Sequence, residues 1–477
     1  MARAAVVGGS VAGLTAALAL ARVGWRVEVL ERDPLVEAGD VEQAFAHHPR
    51  PAVPQAGHTH GLFAGAHRAL RVHVPDVIAA LADAGVVAMS LARTAPPAIA
   101  PLLTDPADAD LVNLCARRST YEWALRRIVS AERNVTLREA HVVGLVGEQG
   151  PVPRITGVRV DDGTVDADLV VDASGRRSSA ASWLGALGAT AELGWEGEDC
   201  EATYYTRYYR LRDATAGWRP ANRGVAAGGL FQGYFVVAFP ADRSHLSVTF
   251  AVPPYIKDFR AMRDPATFDA LASATPMVAA WVEPGYAEPV TDVRVIAGMR
   301  NGIRRAFATG PVATGFVCIG DALMHTDPTF ARGISIATIE AFELAAICSA
   351  HSDATERDAA WRRYVAEEIV PRFADVVARD AERHDFWTSR YSGTPHAVRP
   401  FAEDITWDEV ARAGAVDADV WRAVMRVMNV LDRVDDVMTP AVLSRVRELR
   451  ADGALPSPPP GPSPEQILAL LSARVPA

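Results

Sequence analysis

The chain has 477 residues, enough to bury large cores in two or three domains. It is 49% hydrophobic and 22% charged, as an ordinary globular protein is, and its net charge of −10 comes without any long basic block, which argues against nucleic acid as a partner. Four widely spaced cysteines without a C-x-x-C pair read as free thiols of a cytoplasmic protein. The first strand starts within three residues, leaving no room for a signal peptide, and the long apolar stretch near 334–350 carries Glu340 and Glu343, so no membrane span is expected.

The chain opens on an apolar strand, Ala4–Val7, which runs into a glycine turn, a helix of small residues and a second strand, Val27–Leu30, ending in Glu31. This is the order of a βαβ unit that binds the ADP half of a dinucleotide. Gly8 permits the tight turn, Gly9 adds an extra glycine, and Gly13 lets the helix pack close to the sheet. Ser10 replaces the middle glycine of G-x-G-x-x-G; it is small enough for close phosphate approach and brings a hydroxyl. The helix N-terminus at Val11 and Ala12 offers free N–H groups to a pyrophosphate. Glu31 is placed where an acid bonds a ribose hydroxyl, with Arg32 beside it towards the adenine.

Next comes PQAGHTHGLF (Pro54–Phe63), with His58 and His60 in one loop. Their spacing could hold a metal, but no further ligands of matching type are evident, and no metal is expected. One of the two is expected to bond cofactor or substrate; the alternative is a loop or core histidine. Residues 76–110 are expected to add a helix and loop to the substrate region. Arg118 opens a helix reading R-x-x-x-E-W (Arg118–Trp123), and its planar fork suits a pyrophosphate. Val143 lies on a strand expected to pass the adenine. Asp168–Ser179, DLVVDASGRRSS, is an apolar strand entering a small-residue turn at Asp172.

The period changes over 196–292. Tyr204–Leu211 and Gln232–Phe239 read as extended, Pro240–Ser244 as a turn, and His245–Val252 as a returning strand, which makes an antiparallel sheet. Alternation puts Tyr204 and Tyr208 on one face and Tyr205 and Tyr209 on the other, without saying which faces a cavity. In Phe316–Ala346 a strand ends at Gly320-Asp321, and a loop with Pro328 leads to Gly333-Ile334 and a long helix. A nicotinamide-binding fold needs neither this segment nor DASG. A flavin does: Asp321 can bond ribityl hydroxyls, and the helix N-terminus suits the N1–C2=O edge, where reduction places negative charge. Beyond about 365 the pattern is helical. Leu455–Pro464 is a proline linker, and Ser463 caps a short last helix reaching Val475.

The order GGSVAGL…ER, R-x-x-x-E-W, DASGRRS and GD-x₆-P-x₄-G closely resembles the group A flavin-dependent monooxygenases of the para-hydroxybenzoate hydroxylase type, from residue 4 to about residue 346. PQAGHTHGLF is similar to P-Q-x-x-H-x-H-x-L-L of the bacterial branch that contains polyether epoxidases and other natural-product tailoring enzymes. Two positions depart. Met324 stands where that family has the His of G-D-A-A-H, with His325 one residue late, and Ala331-Arg332-Gly333 replaces Gly-Gln-Gly.

The resemblance implies an α/β fold. Its Rossmann-like, glutathione-reductase-type FAD-binding domain is discontinuous, over 1–75, 112–190 and 293–365. A substrate domain over 76–111 and 196–292 holds the antiparallel sheet, and 366–477 is a helical C-terminal region with its linker at 455–464. It implies one non-covalent FAD, NADH or NADPH as hydride donor, O₂, and a hydrophobic or aromatic small molecule hydroxylated or epoxidised through a flavin C4a-hydroperoxide, in natural-product biosynthesis, by a monomer or homodimer. No side chain need attack covalently. No catalytic residue is assigned, and His58, His325 and Arg332 are the candidates for one, Arg332 pointing either at the flavin's pyrimidine edge or into solvent. An FAD-dependent reductase or dehydrogenase acting on a C=C bond, or a non-catalytic flavin scaffold, keeps the same fold. A flavin-dependent halogenase shares the first βαβ but uses an early lysine and W-x-W-x-I-P; the one lysine here is Lys257, and no such tryptophan pair occurs.

Overall fold

The structure, a computed structural model, describes the whole chain except residues 36–37, 48–49, 51–52, 396–398, 459 and 474–477. In chain order, β1 (Arg3–Val7) leads through α1 (Val11–Arg22) to β2 (Arg26–Glu31). After a long excursion come α2 (Arg118–Ala131), β3 (Val135–Glu139) and β4 (Leu169–Asp172). An antiparallel run follows: β5 (Thr203–Leu211), β6 (Ala227–Phe231), β7 (Tyr234–Pro240) and β8 (His245–Val252). The chain then returns with β9 (Phe316–Cys318) and α3 (Gly333–Ala350) and ends in helices, among them α4 (Val370–Ser392), α5 (Ala418–Met428) and α6 (Pro464–Ser472).

Five strands form a parallel sheet in the order β9-β4-β1-β2-β3. Val6 lies beside Val29 on one side and Val171 on the other. Helices α1 and α2 pack on this sheet, and a small antiparallel sheet, Val142–Glu148, Arg154–Val160 and Gly163–Asp166, packs on β4 and β1, so the strands are covered and read as continuous apolar runs without alternation. α1 packs against α3, and both bury small residues, so two backbones more than 300 positions apart in sequence come close above the sheet. α3 is the one described helix long and apolar enough to cross a membrane, but 67% of it is buried inside the protein, as a core helix between layers must be.

The second sheet runs β6-β7-β8-β5, with Tyr204 opposite Ala251 and Tyr208 opposite Ser247. Tyr205 and Tyr209 face outwards into a core shared with Phe250, Trp281 and, from α6, Ile467 and Leu471. Tyr204 and Tyr208 face the parallel layer. The Tyr208 hydroxyl donates to the His58 carbonyl at 2.9 Å, and the Tyr204 hydroxyl donates to Asp327. The helix Pro75–Asp83, assigned from sequence to the substrate region, instead buries Val77 and Leu81 in the core of the parallel layer, because its apolar face matches that layer and not the antiparallel sheet. α6 is described to Ser472; the expected end at Val475 lies outside the described residues.

Candidate functional site

A groove enclosing about 1150 Å³ of empty space, part of it open solvent, lies beyond the carboxyl ends of the parallel strands, where such sheets take their ligands. One end is lined by Leu30, Glu31, Arg32 and Ala140–Val142, the middle by Gly8, Ser10–Ala12, Arg118 and Asp321, and the far end by Val53, Gln55, Gly333 and Ile334. The turn beneath it demands glycine. Gly8 has φ +106°, and a Cβ there would stand 2.6 Å from the Ala173 carbonyl oxygen; a Cβ at Gly13 would stand 1.9 Å from that of Gly8. At Gly333 the nearest atom to an added Cβ is Asp321 Oδ1 at 4.0 Å, so the N-terminus of α3 fronts open space.

The polar groups converge on this groove. Arg118 Nη2 donates to Ser10 Oγ at 2.8 Å and Nη1 lies 3.3 Å from His60 Nε2, while Nε has no partner. Burial lowers the Arg118 pKa, against the pull of Glu122 and Asp321. Glu31 is held by the Gly9 and Asp33 N–H groups, each at 2.8 Å, and by Arg50 at 3.0 Å. Arg50 also lies 3.2 Å from Glu122. Gln55 Nε2 donates to Asp321 Oδ2 at 3.3 Å and leaves its own Oε1 unpartnered. A glycine cradle, a helix N-terminus, a deep arginine with a free Nε, and an acid at each of two sugar positions fit a dinucleotide with a ribityl chain.

Several residues expected to touch the cofactor take other roles. Gly9 and Gly13 support the turn from beneath. Asp172 is fully buried, and its carboxylate accepts from Ser174 N, Ser174 Oγ and Ser178 Oγ, so it caps the DASG turn while Ala173–Gly175 line the groove. Gly320 donates its N–H to Glu340 at 2.6 Å and packs on Ala12 and Ala337. Val142 lines the groove end beside Glu31, whereas Val143, one position on, points away and is 39% exposed. Pro328 starts the loop before Gly333 without reaching the groove wall.

The three catalytic candidates are also off the groove. His58 is buried against Thr206 at 2.9 Å, and burial, helped by Arg294, lowers its pKa to about 4. His60 is bonded through Nδ1 to the His58 carbonyl, and burial beside Arg118 lowers it to about 3. Both are neutral joints between the layers. His325 packs edge-on to Trp195, with ring centroids 4.3 Å apart. Arg332 is neither solvated nor turned to the groove: it is buried, 2.9 Å from Asp375 of α4, and lies over the Phe330 ring. Burial raises Asp375, but Arg332 and Arg379 outweigh it and hold the carboxyl below its ordinary range.

Next to it a second polar cluster fixes the loop before Gly333. Asp327 takes bonds from Thr329 N, Tyr204 and, at 2.8 Å, Arg383, which also lies 3.1 Å from Asp380. Cys200, Asp327 and Asp380 are close enough together to suggest a metal, but the Arg383 guanidinium is already the cation there.

Sequence reasoning missed Arg50, Gln55 and Trp183 as lining residues. Gln55 stood inside the PQAGHTHGLF motif and could have been read from it; a lone arginine between two prolines gave no local signal.

The fold is shared with known flavoproteins. The flavin-dependent brominase Bmp2 superposes with a TM-score of 0.60 at 16% identity, covering 95% of this chain and 99% of that one. A flavoprotein/dehydrogenase from Cytophaga hutchinsonii gives 0.61 at 14% identity, covering 94% and 100%. HpxO of Klebsiella pneumoniae, determined with FAD, gives 0.54 at 16% identity, covering 93% and 99%. The fold is that of an FAD-binding flavoprotein. In sequence, the tryptophan halogenase family model matches residues 113–186, and Protein Rv3254 of Mycobacterium tuberculosis is 26% identical over 398 residues, 75% of each chain.

Proposed function

We propose that this chain is an FAD-dependent monooxygenase that inserts one oxygen atom of O₂ into a hydrophobic or aromatic small molecule. The observation that carries the reading is the groove itself, continuous from Glu31 past Ser10, Arg118 and Asp321 to the N-terminus of α3. Arg118, Arg50 and the first turn of α1 would hold the pyrophosphate, Glu31 a ribose, and Asp321 with Gln55 the ribityl chain. Bound FAD supplies hydride acceptance from NADH or NADPH and the activation of O₂. The protein's own work is to position and to exclude water. Gly333 lets backbone N–H groups approach the ring edge, where their dipole favours negative charge. The Asp327–Arg383 cluster keeps the loop before Gly333 in place. The inward face of the antiparallel sheet, which carries Tyr204, Thr206 and Tyr208, would form the opposite wall. HpxO was solved with FAD, and PqsL of Pseudomonas aeruginosa, of the same fold (TM-score 0.55, 16% identity), is described as a probable FAD-dependent monooxygenase; both support the reading.

The family-model match over 113–186 favours a second reading, halogenation. Against it, Lys257 lies on an outer segment, its Nζ donating to the Pro254 carbonyl. One experiment separates these. Purified protein should be yellow and release all its colour on acid precipitation. Its NAD(P)H oxidation and O₂ uptake should rise with an added aromatic compound and yield a product heavier by one oxygen. A product that requires bromide and carries it selects the halogenase; turnover without O₂ selects a reductase; a colourless protein removes all three.

A further inference from the structure

Away from the groove, a second recess enclosing about 650 Å³ of empty space, part of it open solvent, lies at the rim of the antiparallel sheet. Three segments meet there: the end of β5 with Arg210 and, just past it, Arg212; the turn between β7 and β8 with Arg243 and Ser244; and the strand Ala287–Pro289 with Glu288. Backbone pairing fixes them. Arg210 lies opposite His245 on one side and Glu288 on the other, and the Leu211 N–H donates to the Ser244 carbonyl at 2.8 Å. Three guanidinium groups thus line a recess with one carboxylate, on a chain whose net charge is −10. That carboxylate is already shared: Glu288 Oε1 lies 2.9 Å from Arg210 Nη2, and Oε2 lies 3.0 Å from Arg212 Nη1. Arg212 Nε donates to the Pro284 carbonyl at 2.7 Å. Arg243 donates from Nε to the Ala84 carbonyl at 3.1 Å and from Nη2 to that of Asp83 at 3.4 Å. Other acids nearby are turned elsewhere. Glu42, which feels the charge of Arg243, gives both oxygens to Arg117, and Asp213 caps Thr215. Among the described residues, Arg210 Nη1, Arg212 Nη2 and Arg243 Nη1 keep no protein partner.

The turn at this recess is held in a shape its residues do not favour. Arg243 and Ser244 stand at φ +51° and +60°, the left-handed pair that a two-residue hairpin turn needs and that Asn and Gly adopt with least strain. Asp242 holds it from beneath: the side chain is fully buried, and its carboxylate accepts from Arg117 N at 2.7 Å, Arg117 Nη2 at 2.6 Å and Thr120 Oγ1 at 2.9 Å. The Arg243 side chain is therefore anchored at its turn and by two carbonyls before any ligand arrives, so less freedom is lost on binding. We propose that this recess binds a phosphate group, either the free ion or the end of a phosphate ester. A phosphate ester carries a charge of about −1.5 to −2 at neutral pH, which matches three arginines set against one glutamate, and its oxygens suit the planar forks of arginine. The Ser244 hydroxyl, without a partner among the described residues, is a further donor. This site is separate from the groove and goes beyond the monooxygenase reading without depending on it.

The test is isothermal titration calorimetry of the purified full chain, at low salt in a phosphate-free buffer, with inorganic phosphate, glycerol 3-phosphate and acetate. Charge-assisted bonds to several arginines predict that a phosphate group binds at least about tenfold more tightly than acetate. An ester bound as tightly as the free ion, or more so, identifies a phosphate ester as the occupant; preference for inorganic phosphate identifies the ion. Arg243→Gln and Arg212→Gln should each weaken the preferred probe at least about tenfold. Glu288→Gln removes the competing carboxylate and should tighten it, which a merely structural role of these side chains does not produce. Arg154→Gln, at an exposed arginine beside Glu148 and outside the recess, should leave the affinity unchanged. No saturable binding of either phosphate probe, acetate bound as tightly, an affinity that survives Arg212→Gln, or one that Glu288→Gln weakens overturns the proposal. Arg212 is an exposed side chain, so its variant and that of Glu288 decide the matter even where Arg243→Gln fails to fold.

Discussion

Glu340 lies fully buried in α3, with Oε2 accepting the Gly320 N–H at 2.6 Å and Oε1 without a partner. Burial, with Asp321 as a like charge nearby, raises its carboxyl from 4.5 to about 7, although the Gly320 N–H pulls the other way. The folded pKa is above the unfolded one, so between these values the folded chain holds a proton that the unfolded chain has released. The stability this provides is complete below about pH 4.5 and is lost as the pH rises to about 7. At about 1.36 kcal/mol per unit, the displacement corresponds to about 3 kcal/mol. Glu340→Gln keeps an acceptor for Gly320 and cannot ionise. For a chain of this length the unfolding entropy is roughly 1 kcal/mol/K, so the wild-type Tm should fall by about 3 °C relative to the variant between about pH 4.5 and about pH 7.5. Scanning calorimetry of both proteins over that range reads the difference. Parallel Tm curves would mean that Glu340 titrates as it does in water, and the account of a strained buried carboxyl would be wrong.

Asp321→Ala removes a charged acceptor from mid-groove; such a bond contributes roughly 1.5–3 kcal/mol, so FAD affinity should fall about 10- to 100-fold, measured as flavin retained after dialysis. Gly13→Ala puts a Cβ 1.9 Å from the Gly8 carbonyl oxygen and should yield flavin-free or aggregated protein, whereas Gly150→Ala, with open space around it, should purify as the wild type does. Arg332→Gln should lower the Tm, because Asp375 is left to Arg379 alone, and should not move the flavin midpoint potential. A shift of about 30 mV, equivalent to about 1.4 kcal/mol for a two-electron couple, would place that guanidinium against the flavin after all.

What was legible in the sequence was whatever depends on backbone and period. The first βαβ, the GD turn and the parity of the β5 tyrosines are set by neighbours in the chain, so Gly8, Ser10, Glu31, Arg118, Asp321 and Gly333 could be placed on the groove from their order alone. Side-chain fate at the layer interface was not legible. Asp172 is spent on two serines of its own turn, and Arg332 on an aspartate 43 residues away. His58 and His60, a motif by spacing, are desolvated joints, because Thr206 comes from a sheet whose packing no local pattern encodes. Arg50 reaches the groove by bridging Glu31 and Glu122, a long-range arrangement that leaves no trace at position 50 itself.

The closeness of α1 and α3 has a consequence for how the protein is made. A nascent chain can form β1, α1 and β2 early, since these are local, and N-terminal segments fold first during synthesis. Yet the far wall of the groove is Gly333, Ile334 and Ala337, and β9 must add to the sheet edge beside β4 before α3 can be held there. Until Ala350 has left the ribosome, the phosphate turn has no opposite wall. Completion of the groove therefore waits for α3, and a ribosome stalled before that point carries a turn with the dinucleotide fingerprint and no opposite wall.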